Sequence, residues 1–485
     1  MSIANQTIFR TVLDVAGNNG SEGRGVEDVE DVEDSGDSSA NSTSSAYPPS
    51  LSPVWPEDSI LQGFISFARE YSESEDCILI GAVLPIAARM LARNVSIRFT
   101  GKKFTNLYSV LVTPPGFRKS TSINLAESLG RELLPFDAFL EGAASEQALF
   151  KAFQANPDRL LIEDEGNTLL SNWASDAAGK LVAKRFLRLY DCGAWSQNYM
   201  RQADENNGGN ALQRIEGTST SFLVGTTYNN CRFNGLETRD GMRRRVNYYV
   251  SERMARTIYW PADLDGEAFT RLVDSFKPLL TLEGVIQPLL GGTMKLWKEL
   301  QDANRAEIRS IAGIDAASEA YAYALAEENA KILKFAMIFE ICRWATNPTR
   351  DWKVIQPDTL QLAADHGRYC LHASKQLDLI GRRAEIRDEA DAILSSIRVE
   401  HVSHANADKI ELTKSQLTHR FAANPGRRGA MTPTRLYGEV IPDLQRRNLA
   451  SLVKKDGKLH VYRFLLDEAR PGSTENQMRN GTARI

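Results

Sequence analysis

One run of twenty residues narrows the possible folds more than any other: LYSVLVTPPGFRKSTSINLA, residues 107–126. An apolar, β-branched stretch over residues 107–112 breaks at Pro114-Pro115-Gly116, and Lys119-Ser120 then open a helix-like segment. Buried strand, tight loop, Lys-Ser and helix, in that order, is the layout of a phosphate-binding loop, in which backbone N–H groups and a helix N-terminus face anionic oxygens. On this reading Thr113, Pro114, Pro115, Gly116, Phe117, Arg118, Lys119, Ser120 and Thr121 line the phosphates of ATP. Lys119 reaches the β- and γ-phosphates and Ser120 holds Mg²⁺. The usual G-x-x-x-x-G-K-[ST] pattern wants glycine where this chain has Thr113 and Arg118; only the internal Gly116 remains. Glycine matters there because backbone must approach phosphate closely or adopt positive φ, so Arg118 requires neighbours that hold the geometry. An ordinary strand–turn–helix with an incidental Lys-Ser is the plain alternative.

A second apolar stretch, LLIEDEGNTLL, starts at Leu160 and runs directly into Glu163, Asp164 and Glu165. Acids at the end of a buried strand are costly unless they have a task or a cation. In P-loop ATPases the aspartate of such a pair serves Mg²⁺ and the next glutamate polarises the attacking water, which assigns Asp164 to the metal and Glu165 to the water. An exposed acidic turn after an edge strand is the alternative. Asp164 follows Lys119 by 45 residues (164 − 119), an ordinary separation within one nucleotide-binding core. A third strand, SFLVGTT, ends in Thr226 and Thr227, candidates for sensing the γ-phosphate. Three arginines, Arg243, Arg244 and Arg245, precede the apolar VNYYV. They could act as fingers on a phosphoryl group across a subunit boundary, contact nucleic acid, or form a solvated turn.

The run NLYSVLVTPPGFRKSTSIN resembles the P-loop of the unknown-function family 3987, P-loop ATPases of prophages, plasmids and other mobile elements, often beside or fused to primase modules. The resemblance continues through LLIEDEGNTLL, Leu189-Tyr190-Asp191, Gly225-Thr226-Thr227, the arginines before VNYYV, and LKFAMIFEI at residues 333–341. It covers roughly residues 55–380. In that family the second loop glycine is commonly replaced, which suits Arg118; Thr113 departs from the pattern. The resemblance implies ATP-dependent DNA handling, helicase-like and replicative, with a primase as a potential partner.

A chain of 485 residues suggests roughly three or four compact units at ~150 residues per domain. The net charge of −4 conceals an uneven distribution. Residues 1–46 hold nine acids and two arginines, −7; residues 408–465 hold twelve Lys/Arg and five acids, +7. Five scattered cysteines, Cys77, Cys192, Cys231, Cys342 and Cys370, with no C-x-x-C spacing, read as reduced thiols of a cytoplasmic protein. All six histidines fall at or after His366, which removes histidine chemistry from the nucleotide core. His401 and His404 could share a helix face, but a metal site needs further ligands. No signal peptide is visible, and ILIGAVLPIAA from Ile78 is too short to span a membrane; it reads as a buried helix bent at Pro85.

These signals predict an α/β protein: a RecA/AAA-like P-loop NTPase core with helical modules before and after it, and a C-terminal winged helix. The expected boundaries are 1–52, a disordered acidic segment; 53–105, a helical lead-in; 106–262, the ATPase core; 263–383, a helical module; 384–467, the winged helix; and 468–485, a disordered tail. In the lead-in, strands at 95–99 and 107–112 are expected to pair across a basic Gly-Lys-Lys turn. Residues 202–217, polar and Gly-rich, read as a mobile loop. In the last unit a helix over 385–399, a short helix in LTKSQLTHRF and a helix over 434–447 bent at Pro442 precede two strands joined through Asp456-Gly457. Helix, helix and hairpin is a winged-helix pattern. Arg435, Arg446, Arg447, Lys454, Lys455 and Lys458 would contact DNA phosphates; docking of a protein is the alternative. The implied whole is an oligomer, hexameric ring included, that hydrolyses Mg·ATP and moves on DNA. Its rivals are a nucleotide-switched replication initiator and an ATP-dependent scaffold for a primase.

Overall fold

The computed structural model describes residues 52–140, 145–175, 177–199, 211–228, 241–259, 264–311, 316–401, 409–422, 431–456 and 459–465. The expected disordered segment and tail, Cys231, His404, Lys458 and most of the 202–217 loop lie outside the described residues.

Two helices, α1 (Ile60–Ala68) and α2 (Asp76–Leu91), lead in. The short strands β1 (Val95–Phe99) and β2 (Gly101–Phe104) follow, then β3 (Tyr108–Val112) and α3 (Lys119–Leu133). Next come β4 (Phe139–Leu140), α4 (Glu146–Ala155), β5 (Asp158–Glu163), α5 (Gly166–Ser175) and α6 (Ala177–Tyr190). A hairpin of β6 (Trp195–Tyr199) and β7 (Ala211–Ile215) precedes β8 (Ser219–Thr226). The one-turn helix α7 (Met242–Arg245) then enters β9 (Val246–Val250).

Strands β4–β5–β8–β3–β9 form one five-stranded sheet, parallel throughout. Parallel strands are covered on both faces and so read as continuous apolar runs; every residue of β3 and β8 is buried. Leu111 and Tyr249 face α2, and they sit so close that a Cβ on Gly81 would lie 2.5 Å from the Tyr249 ring. Glycine is what lets α2 lie on the sheet. On the other face Tyr108 stacks on Phe222 at 4.0 Å and donates from its hydroxyl to the Phe186 carbonyl of α6. Each such buried aromatic contributes about 1.5–3 kcal/mol through burial.

Strands 95–99 and 107–112 do not pair. β1 pairs antiparallel with β2 and parallel with β10 (Gly284–Ile286), in a separate small sheet. Gly101, at φ 125°, makes the turn between β1 and β2, and the chain after β2 crosses to a different layer. The expected break at 105 and the one at 262 do not separate cores either. A single apolar cluster runs from Ile60 through the sheet to Ala373. It includes α8 (Gly266–Phe276), α9 (Gly291–Ile311) and α10 (Ala316–Thr346). The amphipathic lead-in and the later helices each have an apolar face that only the sheet and its layers can cover.

The helix expected from Glu385 is the end of α11 (Pro357–His401), one helix of 45 residues. Its last turns carry Ala390, Ile393, Leu394 and Ile397 into a second, separate core. That core is completed by β11 (Lys409–Thr413), α12 (Lys414–Phe421), the continuous helical run α13 over residues 433–446, β12 (Ala450–Asp456) and β13 (Leu459–Leu465). The sheet order is β11–β13–β12, antiparallel. β11 was not expected: three of its five residues, Lys409, Glu411 and Thr413, are polar, and it forms because β13 offers a free edge. Pro442 has no N–H to donate, and the helix accommodates it with π-type turns over Leu436–Val440. Residues 211–215, read as loop, form β7, paired with β6. α2 runs unbroken through Pro85. No described helix is long and apolar enough to cross a membrane.

Candidate phosphate-binding site

The site lies where parallel strands end, the edge at which open α/β sheets bind ligands. After Val112, the Thr113 N–H still donates to the Thr226 carbonyl at 3.3 Å, continuing the ladder one residue beyond the strand. The chain then turns through Pro114 and Pro115, and Gly116 takes φ 84°. Arg118, standing where the motif wants its second glycine, adopts φ 58°, ψ 21° and caps α3. That left-handed conformation costs a non-glycine residue roughly 1–2 kcal/mol. Its compensation comes from residues 72–76, the turn between α1 and α2. The Ser74 hydroxyl donates to the Phe117 and Arg118 carbonyls at 3.3 and 3.2 Å, and Arg118 Nε donates to Glu73 Oε2 at 2.9 Å. The other Glu73 oxygen accepts from the Ile258 N–H at 2.8 Å. That N–H and the Arg118 guanidinium hold the Glu73 carboxyl below the usual carboxylate range.

Lys119 opens α3 and points across the end of β8. Its Nζ donates to both the backbone carbonyl and Oδ1 of Asp164, each at 2.9 Å. β8 separates β3 from β5 in the sheet, so this reach passes over Gly225, where a Cβ would stand 2.6 Å from Nζ and 2.8 Å from the Asp164 carbonyl. The Lys119 side chain is 12% exposed and that of Asp164 35%. Ser120 and Glu165 are exposed beside them. Burial pushes the Glu163 carboxyl up, and the neighbouring Asp164 and Glu165 charges add to this. Buried Thr226 donates from Oγ1 to Asn167 Oδ1 at 2.6 Å, tying the end of β8 to the first turn after the acids.

Lys119, Ser120, Asp164, Glu165 and Thr226 are therefore brought to one edge. Among the described residues no cluster of three His, Cys, Asp or Glu side chains could hold a metal by itself. A Mg²⁺ held by Ser120 and Asp164 fits this donor set, because Mg²⁺ takes few protein ligands and fills its octahedron with phosphate oxygens and water.

Arg244 and Arg245 are not brought there. Tyr108 pairs with Val246 and Val112 with Val250, so the arginines before β9 stand at the opposite edge from the loop after β3. Five residues at about 3.3 Å each put roughly 16 Å between the two edges. Arg245 donates to Asp191 Oδ2 at 3.0 Å and to the Gly241 carbonyl at 3.1 Å, and Arg244 lies over the Tyr323 ring. Asp191, of the Leu-Tyr-Asp triplet, is thus a partner of that run. The arginines at the phosphate edge come after β9 instead. Arg253 pairs with Glu75, and Arg256 with Asp76 and the Ser72 carbonyl. Sequence reading missed them and the 72–76 turn, although the density of acids in Ser-Glu-Ser-Glu-Asp was a signal.

In the C-terminal unit, Arg435 pairs with Glu389 at 2.9 Å and Arg447 with Asp391 at 2.7 Å, both acids on α11. These two arginines are engaged inside the unit. Arg446 is 71% exposed although it approaches Asp443, and Lys455 is exposed on β12. The Lys454 side chain lies outside the described residues. No protein-family model matches the chain, and no curated protein matches it.

Proposed function

We propose that this protein is a P-loop ATPase that couples hydrolysis of Mg·ATP to movement or remodelling of DNA, as a helicase-like component of a mobile-element replication system. The observation that carries the reading is the meeting of Lys119 with Asp164 at 2.9 Å across Gly225. A strand–loop–Lys-Ser–helix unit and an acid-ended strand, separated by one strand, support a RecA/AAA-like core. Lys119 is placed to take the β- and γ-phosphates in exchange for Asp164; Ser120 and Asp164 would then hold a Mg²⁺, whose contribution would be to neutralise charge on the phosphates. Glu165 orients the attacking water, and Thr226, fixed by Asn167, reports the terminal phosphate. Arg244 and Arg245 stand too far from their own chain's loop, so a finger role for either belongs to a homo-oligomer, a hexameric ring included, in which they serve the neighbouring site.

The β-strand, helix, helix, hairpin order of the last unit supports a winged helix. Arg446 and Lys455 are its exposed cations for DNA phosphates. A second reading of that unit has specific support: Leu452 and Val453 are exposed on β12, an apolar pair suited to docking a protein such as a primase.

ATPase activity of the purified oligomer, with and without single-stranded DNA, tests the proposal. DNA should stimulate turnover, activity per chain should rise with protein concentration, and Glu165→Gln should bind ATP while losing about 10²-fold or more in turnover. A Glu165→Gln chain that turns over like the wild type removes Glu165 from the mechanism. Nucleotide binding without turnover would favour a switch over a motor.

A further inference from the structure

We propose that Ser74 and Glu73 are positioning residues that replace the missing loop glycine, an inference that rests on residues 113–121 being a phosphate site. In a trans peptide the C=O and N–H point in opposite directions. The Ser74 hydroxyl takes the carbonyls of Phe117 and Arg118, and so turns the N–H groups of Arg118 and Lys119 away from itself, toward the outer face of the loop. Those are the donors an anion needs.

The direction of the Ser74 proton is set by a relay of buried hydroxyls. Ser122, in α3, donates to Ser74 at 3.0 Å and also meets Ser72 at 3.0 Å. All three serines are almost fully buried, with Ser74 2% exposed. Because Ser122 fills the acceptor side of Ser74, the Ser74 proton is directed at the loop carbonyls. In a low-dielectric setting such chains reinforce one another.

Glu73 supplies the second hold. Its pair with Arg118 restrains the side chain of the one residue in the loop that pays for positive φ. The Ile258 and Ala255 N–H groups, which donate to Glu73 Oε1 and to its carbonyl, keep Glu73 itself in place. A glycine at 118 would need neither hold, since it enters the left-handed region without strain. Function therefore couples residue 118 to residues 73 and 74, and it does so through loop shape alone.

The test is a double-mutant cycle on the full-length chain, read by binding of a fluorescent ATP analogue and by thermal melting. Ser74→Ala should weaken nucleotide binding about tenfold, the scale of one lost buried hydrogen-bonding group. In an Arg118→Gly background the same change should cost less than about twofold, because the strain it counters is gone. The melting temperature should fall equally in both backgrounds, so a purely structural role would not produce the rescue. Equal affinity losses in both backgrounds, or no loss in either, overturn the proposal. Should Ser74→Ala fail to fold, Glu73→Gln keeps the side-chain shape and should show a smaller loss, erased by the same glycine. Lys119→Ala separates the levels: if it binds nucleotide like the wild type, the phosphate-site reading itself falls. If it loses binding while Ser74→Ala and Glu73→Gln do not, only the positioning role falls.

Discussion

The two edges of the central sheet both carry cations at strand ends, and they use them in opposite ways. At the edge that carries Lys119, the lysine is paired with a carboxylate that is itself one-third exposed, a partner open to exchange in the proposed mechanism. At the other edge α10 sends Lys331 to the Val246 carbonyl and Lys334 to the carbonyl and side chain of Asn106, all buried. Lys334 also lies 3.6 Å above the Tyr190 ring. Burial pulls the Lys334 amine down to about 7, and it pushes up the carboxyl of Glu328, whose charged neighbours are Lys331 and Arg368. These groups close the bottom of the sheet and serve its architecture. Charge at a strand end is thus a poor guide to function; an exchangeable, partly exposed partner is a better one.

The sharpest way to break this comparison is Lys119→Ala. It should reduce nucleotide affinity at least about 100-fold, near 3 kcal/mol, with little change in melting temperature. A large fall in stability with binding intact would place Lys119 with the architectural cations. Next in size is Gly225→Ala. The lysine tip could move from an added methyl, but the Asp164 carbonyl at 2.8 Å is backbone, so overpacking should cost about 2–3 kcal/mol by denaturant melting, and nucleotide binding should weaken as well.

The buried edge makes a pH prediction. The folded pKa of Lys334 lies below its unfolded value of 10.5, so the unfolded chain binds more protons and stability rises with pH. The gain develops from pH 7 upward and amounts to about 2 kcal/mol by pH 9. Above that, Cys192, pushed up to about 12 by burial, begins to favour the unfolded state as free thiolate. Denaturant midpoints of wild type and Lys334→Met across pH 7–9 should show this slope in the first and its loss in the second. Smallest of all is Asp191→Asn. Its pair with Arg245 is half-exposed on the acid side, so stability should fall by less than about 1 kcal/mol. Nucleotide affinity should hold; a shift beyond about threefold (~0.7 kcal/mol) would mean the two edges communicate.

The strand–loop–helix after β3 and the acid-ended β5 were legible because their signals are local. A β-branched run, a Pro-Pro-Gly break and Lys-Ser at a helix start are contiguous, and so are the apolar run and acids of β5. Where the arginine triplet stands was not legible, for a reason that is also clear. A run of cations carries no label for which end of a strand it occupies, and β9 runs parallel to β3 with the triplet at its start. That Arg435 and Arg447 are engaged within their unit was not legible, because Glu389 and Asp391, their partners, lie 46 and 56 residues away in sequence. β1 and β3 were paired by proximity in sequence, whereas β10, far along the chain, is the partner that β1 takes.

The order of residues alone determined the strand–loop–helix, the acid-ended strand and the separate, basic character of the last unit, since each depends on spacing among near neighbours. Tertiary structure alone decided that β8 lies between β3 and β5, that Gly225 clears the path for Lys119, and that Ser74 and Glu73 hold Arg118 in a conformation glycine would adopt freely. Those outcomes depend on which distant surfaces bury one another, and burial is a property of the whole packed chain.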